Sequence, residues 1–175
     1  MKIIVVGGVA GGATAAARLR RLDEKAQITV YERGEYISFA NCGLPYHIGD
    51  VIQDRDRLLL ETPETFKEKN NVTVKVKSNI VKINREKKTV LVKDLITSRE
   101  YEDSYDYLVL SPGAEPIKPS ISGIDSPNIF TLRNINDMDK IIKYSEEHKI
   151  KKVAVIGAGF IGLEAAENFL HKGKM

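Results

Sequence analysis

The chain opens with a short, unbroken apolar run that ends in glycine. Residues 3–6 are all aliphatic, which is typical of a strand buried on both faces of a parallel sheet. A glycine-rich loop, residues 7–12, follows, and an Ala- and Arg-rich stretch predicts a helix from about Gly11 to Asp23. A second strand is predicted over 27–31 and is closed by Glu32. The opening therefore reads as a β-α-β unit with an acidic residue after its second strand.

Units of this kind bind dinucleotides. The glycines let the backbone approach a pyrophosphate, the helix N-terminus supplies amide donors, and the carboxylate accepts from a ribose hydroxyl. In Gly-x-Gly-x-x-Gly register the loop reads Gly7, Val9 and Gly12, so the middle glycine is missing. Because the strand, the helix and Glu32 stand where this chemistry needs them, we predict a dinucleotide site. The alternative is a plain strand-turn-helix.

The middle of the chain alternates between apolar and polar residues. Thr62 and Pro63 predict a helix start, with the helix running to about Lys69. A buried strand is predicted over 105–110, ending at residues 111–114. Between these elements, alternation predicts an antiparallel meander of three strands, at 72–76, 79–84 and 89–93.

The opening pattern then returns. A connector rich in proline (115–128) and a polar helix (136–148) lead to residues 152–156, where Lys152 is followed by a second aliphatic run. This run predicts a strand, and the complete motif Gly157-x-Gly159-x-x-Gly162 follows it. We predict a helix over 163–171 and a second dinucleotide site.

These elements predict an α/β fold. It comprises a Rossmann-like parallel sheet with strands at residues 3, 28 and 107, an antiparallel meander, and the start of a second dinucleotide-binding domain. We place the first domain at 1–114, the connector and start of the second at 115–150, and the first strand and helix of the second at 151–175. Since a strand-helix pair cannot bury its own apolar faces, we expect a longer protein; a natural truncation is the alternative.

Composition narrows the class of protein. The 175 residues are 42% hydrophobic and carry a net charge of +3, which is too weak to indicate nucleic acid. The N-terminus has no signal-peptide layout, and no apolar run approaches the ~18 residues of a membrane span. The single cysteine excludes an internal disulfide and fits a reducing compartment. We expect a cytoplasmic protein without membrane or nucleic-acid partners.

That cysteine, Cys42, lies in the segment SFANCGLPY, residues 38–46. The following Gly43-Leu44-Pro45 predicts that the thiol lies at or near a helix N-terminus, where the helix dipole favours the thiolate. A free cysteine is commonly a small buried hydrophobe. Next to a dinucleotide loop, we instead interpret Cys42 as a redox-active nucleophile.

Four segments carry a resemblance to a known family: GGVAGGATAAARLRRLDE, ERGEYISFANCGLPYHIG, YDYLVLSPGAEP and VAVIGAGFIGLEAAE. The chain resembles the single-cysteine branch of the pyridine nucleotide-disulfide oxidoreductases, closest to the coenzyme A-disulfide and coenzyme A persulfide reductases. Val9 in place of a glycine fits this branch. The resemblance implies FAD at the first glycine loop, NAD(P)H at the second, and a homodimer when the protein is full length.

The resemblance also implies site residues. Cys42 is the catalytic residue. Cofactor contacts are implied for Gly7, Val9, Ala10, Gly12, Glu32, Arg33, Asn41, Cys42, Val81, Ser111, Gly113, Gly157, Gly159 and Gly162, and no metal is expected. Two-cysteine relatives place their second cysteine where this chain has His47. Cys42 must therefore pass electrons through a mixed disulfide, a persulfide or a sulfenic acid.

Substrate contacts are expected on the first helix. Thr14, Arg18 and Arg21 share one helical face by their spacing, and arginine suits the phosphates of coenzyme A. On charge alone these arginines are an ordinary solvated surface; the resemblance favours substrate binding, with Ser38 and Asn41 beside the thiol. Asn70-Asn71 stands where relatives often place a basic residue.

Three function classes follow. The first reduces coenzyme A disulfide or persulfide. The second is an NADH oxidase or peroxidase that cycles through a cysteine sulfenic acid. Such relatives usually show Ser-Cys-Gly-Met, whereas this chain has Asn41-Cys42-Gly43-Leu44, so we favour the first. The third is a nucleotide-binding fragment without catalysis.

Overall fold

A computed structural model describes residues 1–173 and divides them into two compact units. The first unit comprises Met1–Phe39 and Leu59–Gly113; the second comprises Ala40–Leu58 and the described residues from Ala114 onward. The elements are β1 (Lys2–Val6), α1 (Gly11–Leu22), β2 (Gln27–Tyr31), α2 (Leu44–Ile48), α3 (Pro63–Asn70), β3 (Thr73–Lys75), β4 (Ser78–Asn84), β5 (Thr89–Asp94), β6 (Glu100–Ser104), β7 (Tyr107–Leu110), α4 (Ile135–Glu147) and α5 (Phe160–His171).

The first unit is built on a parallel sheet of order β3-β2-β1-β7. The apolar run of β1 alternates between its two faces. Ile3 and Val5 join a core that includes Ala13 and Ala16 of α1 and Phe66 of α3. Ile4 instead lies in a core on the opposite face, with Val90 and Val92 of β5. Both faces of β1 are therefore covered, which explains its unbroken aliphatic sequence.

The predicted start of α3 is confirmed. Thr62 is the N-cap: its hydroxyl accepts the Thr65 N–H at 3.2 Å, and the Thr65 hydroxyl accepts the Thr62 N–H at 2.9 Å. Pro63 occupies the first turn, where it loses no hydrogen bond. The helix ends at Asn71, which adopts the left-handed conformation with φ +48°.

The antiparallel meander exists, but its membership differs from the prediction. Its order is β4-β5-β6. The first predicted strand, 72–76, is instead represented by β3, which pairs in parallel with β2. The third meander strand, β6, was missed because its sequence Glu-Tyr-Glu-Asp-Ser is mostly charged. Alternation shows that a strand has one covered face but does not show which strand is its partner.

The strand predicted over 105–110 forms as β7, but the expectation that it is buried is wrong. It pairs with β1 and lies at the edge of the sheet. Tyr107 and Leu110 at its ends are 62% and 57% exposed. An edge strand has a neighbour on one side, so an apolar sequence alone does not bury it.

The second unit is mainly helical. A 3₁₀ turn at Asn41–Gly43 leads into α2, and another covers Arg55–Leu58. The side chain of Asn134 caps α4 by accepting the Asp137 N–H at 2.9 Å. In the same helix, Asp139 receives a bidentate bond from Arg55 at 2.9 and 2.8 Å. The predicted connector has no regular helix or strand up to α4.

The predicted strand over 152–156 does not form in this chain. Among residues 1–173, both sheets belong to the first unit, and 152–156 pair with no strand. A strand is held by hydrogen bonds to a neighbour, so without one the segment has no regular structure, and Ile156 is 94% exposed. The helix that follows is α5, which starts at Phe160, three residues earlier than predicted. Residues 174 and 175 of the predicted second domain lie outside the described residues.

Candidate functional site

The first glycine loop, residues 7–12, joins β1 to α1, and its last glycine packs directly against its first. Gly7 has φ +94°, and a Cβ on it would lie 2.0 Å from the carbonyl oxygen of Ser111. A Cβ on Gly12 would lie 1.8 Å from the carbonyl oxygen of Gly7. Since neither position has room for a side chain, glycine is required at both ends of the loop.

The start of α1 offers amide donors. Its N-cap, Ala10, has no side chain that accepts a hydrogen bond, and its first turn contains no acidic residue. The Thr14 N–H closes the first turn onto the Ala10 carbonyl at 3.1 Å. The N–H groups of Gly11 to Ala13 precede this bond and can bind an anion, as a pyrophosphate site needs.

Glu32 holds the loop from the end of β2. It is 9% exposed; Oε2 accepts the Gly8 N–H and Oε1 accepts the Gly34 N–H, both at 2.7 Å. The sequence predicted a carboxylate for a ribose hydroxyl, but not these two bonds to backbone. A carboxylate has about four lone-pair sites, so the two bonds leave capacity for a ribose hydroxyl.

The end of β7 completes this edge of the sheet. The Ser111 N–H donates to the Val6 carbonyl at 2.8 Å, and Gly113 has φ +71°. The structure thus brings Gly7, Gly12, Glu32 and Ser111 together in one unit, around a loop that also contains Val9 and Ala10.

Two predicted cofactor contacts are not among these loop contacts. Val81 lies at a β-bulge of β4 and is 44% exposed. Arg33, directly after Glu32, is also exposed. Their contact with a cofactor stays a prediction.

The arginines of α1 have different surroundings. Arg18 and Arg21 are exposed, as is Thr14, and within residues 1–173 the two arginines have no ion-pair partner. Arg20, between them, donates to five backbone carbonyls at 2.6–3.1 Å. These carbonyls belong to Asp23, Glu24, Ala26, Asn70 and Asn71. Arg20 therefore has a structural role, and two of its bonds go to the backbone of Asn70 and Asn71.

Ser38 belongs to the first unit and precedes in sequence the cysteine segment, which we define as residues 41–48. It has φ +48°, an uncommon conformation for a non-glycine residue. Its N–H donates to the Gly8 carbonyl at 3.0 Å, and its carbonyl accepts the Leu60 N–H at 3.1 Å. The glycine loop therefore fixes the backbone just before this segment; a substrate contact for Ser38 stays a prediction.

Cys42 lies in the 3₁₀ turn that continues into α2, so the predicted helix start is confirmed. The thiol is exposed, as is Asn41. Gly43 is buried, and a Cβ on it would lie 2.4 Å from Leu58 Cδ2. The turn is thus packed through the glycine, and among residues 1–173 Cys42 is not a buried hydrophobe.

His47 is held by the backbone. Its Nδ1 lies 2.6 Å from the carbonyl oxygen of Ile52. Because a carbonyl only accepts, Nδ1 carries the proton in this bond. This contact gives the residue at the second cysteine position a structural role.

In the second glycine loop, residues 157–162, the last glycine likewise packs directly against the first. Gly157 has φ +114°, and a Cβ on Gly162 would lie 2.0 Å from the Gly157 carbonyl oxygen. Gly159 is the N-cap of α5. A Cβ on Gly157 or Gly159 would meet nothing within 4 Å. Their contact with a nicotinamide cofactor stays a prediction.

A polar cluster that the sequence did not reveal supports β2 beside the first loop. The Tyr31 hydroxyl donates to Asp103 Oδ2 at 2.7 Å, and Lys2 forms an ion pair with the same carboxylate. Burial and the bond to Asp103 raise the pKa of Tyr31. Burial opposes ionisation of Asp103, but the bonds from Lys2 and Tyr31 outweigh it and lower the pKa of this carboxyl. The Tyr31 carbonyl accepts the Gly7 N–H at 2.8 Å, which ties the cluster to the loop.

The family model described as Pyridine nucleotide-disulphide oxidoreductase matches residues 1–175. The chain belongs to this family. A coenzyme A disulfide reductase of Staphylococcus haemolyticus is 48% identical over 172 residues, which are 98% of this chain and 38% of that protein. The chain thus spans well under half the length of this relative.

Solved structures of this family agree. The crystal structure of reduced Bacillus anthracis CoADR-RHD superposes with a TM-score of 0.97 at 54% identity, covering 99% of this chain and 31% of that chain. An NAD-dependent persulfide reductase from A. fulgidus gives a TM-score of 0.95 at 41% identity, covering 99% and 32%. The predicted resemblance and fold class are confirmed.

Among residues 1–173, no helix has both the length and the apolar character required to cross a bilayer.

Proposed function

We propose that the protein containing this chain is an FAD-dependent oxidoreductase that uses NAD(P)H to reduce coenzyme A disulfide or persulfide through Cys42. The observation that carries the proposal is the exposed cysteine at a helix start, in a chain with two glycine loops whose last glycine packs directly against the first. The names of the similar proteins, a coenzyme A disulfide reductase and a persulfide reductase, support the substrate class.

The first loop fits the pyrophosphate and ribose of FAD. The amides at the start of α1 would bind the pyrophosphate, and Glu32 retains acceptor capacity for a ribose hydroxyl. Bound FAD would accept hydride from NAD(P)H and supply two electrons to sulfur. Further FAD contacts are proposed at Val9, Ala10, Arg33, Asn41, Cys42, Val81, Ser111 and Gly113, and NAD(P)H contacts at Gly157, Gly159 and Gly162.

Cys42 then performs the sulfur chemistry. Its thiolate attacks one sulfur of coenzyme A disulfide, which forms a mixed disulfide and releases one coenzyme A thiolate. Two electrons that originate from NAD(P)H reduce this mixed disulfide; one proton is taken up as the second coenzyme A leaves as a thiol, and Cys42 returns to the thiolate. With a persulfide as substrate, the thiolate attacks the outer sulfur, which forms a Cys42 persulfide and releases the coenzyme A thiolate. Two electrons that originate from NAD(P)H then release the outer sulfur as hydrosulfide, and Cys42 returns to the thiolate.

The proposal for coenzyme A places its phosphates at Arg18 and Arg21, with contacts from Thr14, Ser38 and Asn41. Changing both arginines to alanine should raise KM for coenzyme A disulfide, because each charge-assisted contact is worth about 1.5–3 kcal/mol. KM for a small uncharged disulfide should not change. Arg20→Ala is the matched control: it removes five carbonyl contacts, so it should lower stability rather than substrate discrimination. Equal effects on both substrates would assign Arg18 and Arg21 to ordinary surface.

The direct test uses the full-length protein. We expect flavin absorbance after purification, and oxidation of NADH or NADPH that depends on coenzyme A disulfide. Oxidation of NAD(P)H at the same rate with oxygen alone would favour the oxidase or peroxidase alternative. If the native protein has the mass of the 175-residue chain and shows neither flavin nor turnover, the non-catalytic alternative is favoured.

The organisation of the whole protein is also proposed. We place the FAD domain at 1–114, the connector and the start of the second domain at 115–150, and the first strand and helix of the NAD(P)-binding domain at 151–175. We further propose a cytoplasmic homodimer without nucleic-acid or membrane partners. Light scattering of the full-length protein distinguishes the dimer from a monomer.

A further inference from the structure

Two helices of the second unit pack closely against each other at Gly49. Gly49 is the C-cap of α2, the helix that continues from the turn carrying Cys42, and it is buried. A Cβ on Gly49 would lie 2.5 Å from Asn168 Oδ1, 2.7 Å from Asn168 Cβ and 2.9 Å from the Asn168 carbonyl oxygen. Asn168 belongs to α5, the helix that starts from the second glycine loop.

Space rather than backbone conformation requires glycine at this position. Gly49 has φ −82° and ψ 5°, which other residues adopt readily. Two of the three close atoms belong to Cβ and to the backbone of α5, which no rotamer change can move. A methyl group on Gly49 therefore has to displace one helix relative to the other.

Asn168 is fixed on its own helix. It is 2% exposed, and its Nδ2 donates to the Glu164 carbonyl at 2.8 Å. Beside this contact, the Lys172 amino group lies 3.0 Å from Asp50 Oδ1, so an ion pair joins the same two segments. Asp50 is largely exposed and its ion pair is expected to contribute little. The close packing of Gly49 on Asn168 is thus the stronger constraint between α2 and α5.

We propose that Gly49 and Asn168 are positioning residues that set the second glycine loop relative to the cysteine segment. A shift of α5 moves the start of that helix, where the loop's Gly159 is the N-cap. The proposal rests on the proposed function, in which NAD(P)H binds at this loop. A misplacement of ~1 Å in such a site can cost ~10²-fold in rate.

The experiment compares four variants of the full-length, flavin-loaded protein with the parent. Gly49→Ala introduces the clash, Asn168→Gly opens the contact, and the double variant combines them. Asp50→Asn is the matched control: it removes the neighbouring ion pair and retains a residue that tolerates the left-handed conformation of Asp50, φ +61°. Hydrogen exchange at the amides of 157–163 and the rate of flavin reduction by NADH are measured for each.

For Gly49→Ala we expect about tenfold faster exchange at 157–163, since overpacking strains the contact, together with slower flavin reduction by NADH. Asn168→Gly alone should give a smaller increase in exchange. The double variant should resemble Asn168→Gly rather than add the two effects, because the glycine removes the two closest atoms. Asp50→Asn should match the parent in both measurements.

Parental exchange at 157–163 in Gly49→Ala, or additive effects in the double variant, would overturn the inference. If Gly49→Ala does not fold, Asn168→Gly decides alone: unchanged exchange at 157–163 contradicts the inference. If NADH does not reduce the flavin of the parent protein, that result would count against the proposed function. The exchange measurements would still decide whether this contact positions the loop.

Discussion

The two glycine loops have nearly the same backbone and very different surroundings. In each, the first glycine has a positive φ, +94° at Gly7 and +114° at Gly157. In each, a Cβ on the last glycine would lie 2.0 Å or less from the carbonyl oxygen of the first. Yet the strand before Gly7 is paired on both sides, whereas residues 152–156 pair with no strand among residues 1–173.

The difference shows which properties are local. At the second loop, the last glycine packs against the first and the helix starts although no paired strand precedes it, because glycine spacing and positive φ suffice for both. What the first loop has in addition comes from distant residues: Glu32 binds the Gly8 N–H, and Ser111 packs on Gly7. At the second loop, a Cβ on Gly157 or Gly159 would meet no atom within 4 Å.

The largest expected contrast is between alanine at Gly7 and alanine at Gly157. Both substitutions strain a positive φ, at about 1–2 kcal/mol. At Gly7 the methyl also meets the Ser111 carbonyl oxygen at 2.0 Å, and overpacking adds about 1–3 kcal/mol. Urea unfolding of the 175-residue chain should therefore show a clearly larger loss for Gly7→Ala. Equal losses would mean that the two loops are equally embedded.

The next effect concerns Glu32, which has no counterpart bound to the second loop in the described residues. Glu32→Gln keeps one acceptor oxygen and loses the other, so one buried amide of Gly8 or Gly34 lacks a partner. This should cost about 1–3 kcal/mol in the unfolding free energy and weaken flavin retention in the full-length protein. Hydrogen exchange should accelerate at residues 7–12 and stay unchanged at 157–162; faster exchange at both loops would contradict a local role for Glu32.

The smallest effect is a pH dependence that the first loop alone should show. The pKa of Asp103 is lowered in the folded state, so this carboxylate contributes stability above its unfolded pKa of about 3.9. That contribution is lost as pH falls through the lower folded value. Asp103→Asn should therefore be less stable than the parent near neutral pH and should lose less stability on acidification below about pH 4. If Asp103→Asn unfolds in acid at the same pH as the parent, Asp103 does not contribute to the pH dependence of stability.

Much of the first unit could be predicted because its signals are local. The aliphatic run of β1, the glycine loop and the Thr62 cap each depend on a few adjacent residues, and all three are confirmed. Partners across the chain were not predictable in this way. The parallel pairing of β3 with β2 and the charged strand β6 depend on residues far away in sequence.

The candidate site shows the same division. The helix start at Cys42 could be predicted from the adjacent Gly43-Leu44-Pro45, whereas the close packing of Gly43 on Leu58 could not. The two bonds of Glu32 and the five of Arg20 each join a side chain to a backbone group, up to 51 positions away. Helical spacing separates Arg20 from the face shared by Arg18 and Arg21, but only the fold shows that Arg20 meets the carbonyls of Asn70 and Asn71.

The central claim is that Cys42 is the redox-active nucleophile, and Cys42→Ser in the full-length protein tests it most directly. Serine is nearly the same size, and the thiol is exposed, so the fold and the flavin should be retained. Stopped-flow reduction of the flavin by NAD(P)H should remain near the parental rate, since that half-reaction needs no thiol. Turnover of coenzyme A disulfide should collapse, because serine is a far weaker nucleophile and cannot form the mixed disulfide. Disulfide turnover near the parental rate in Cys42→Ser would contradict the account.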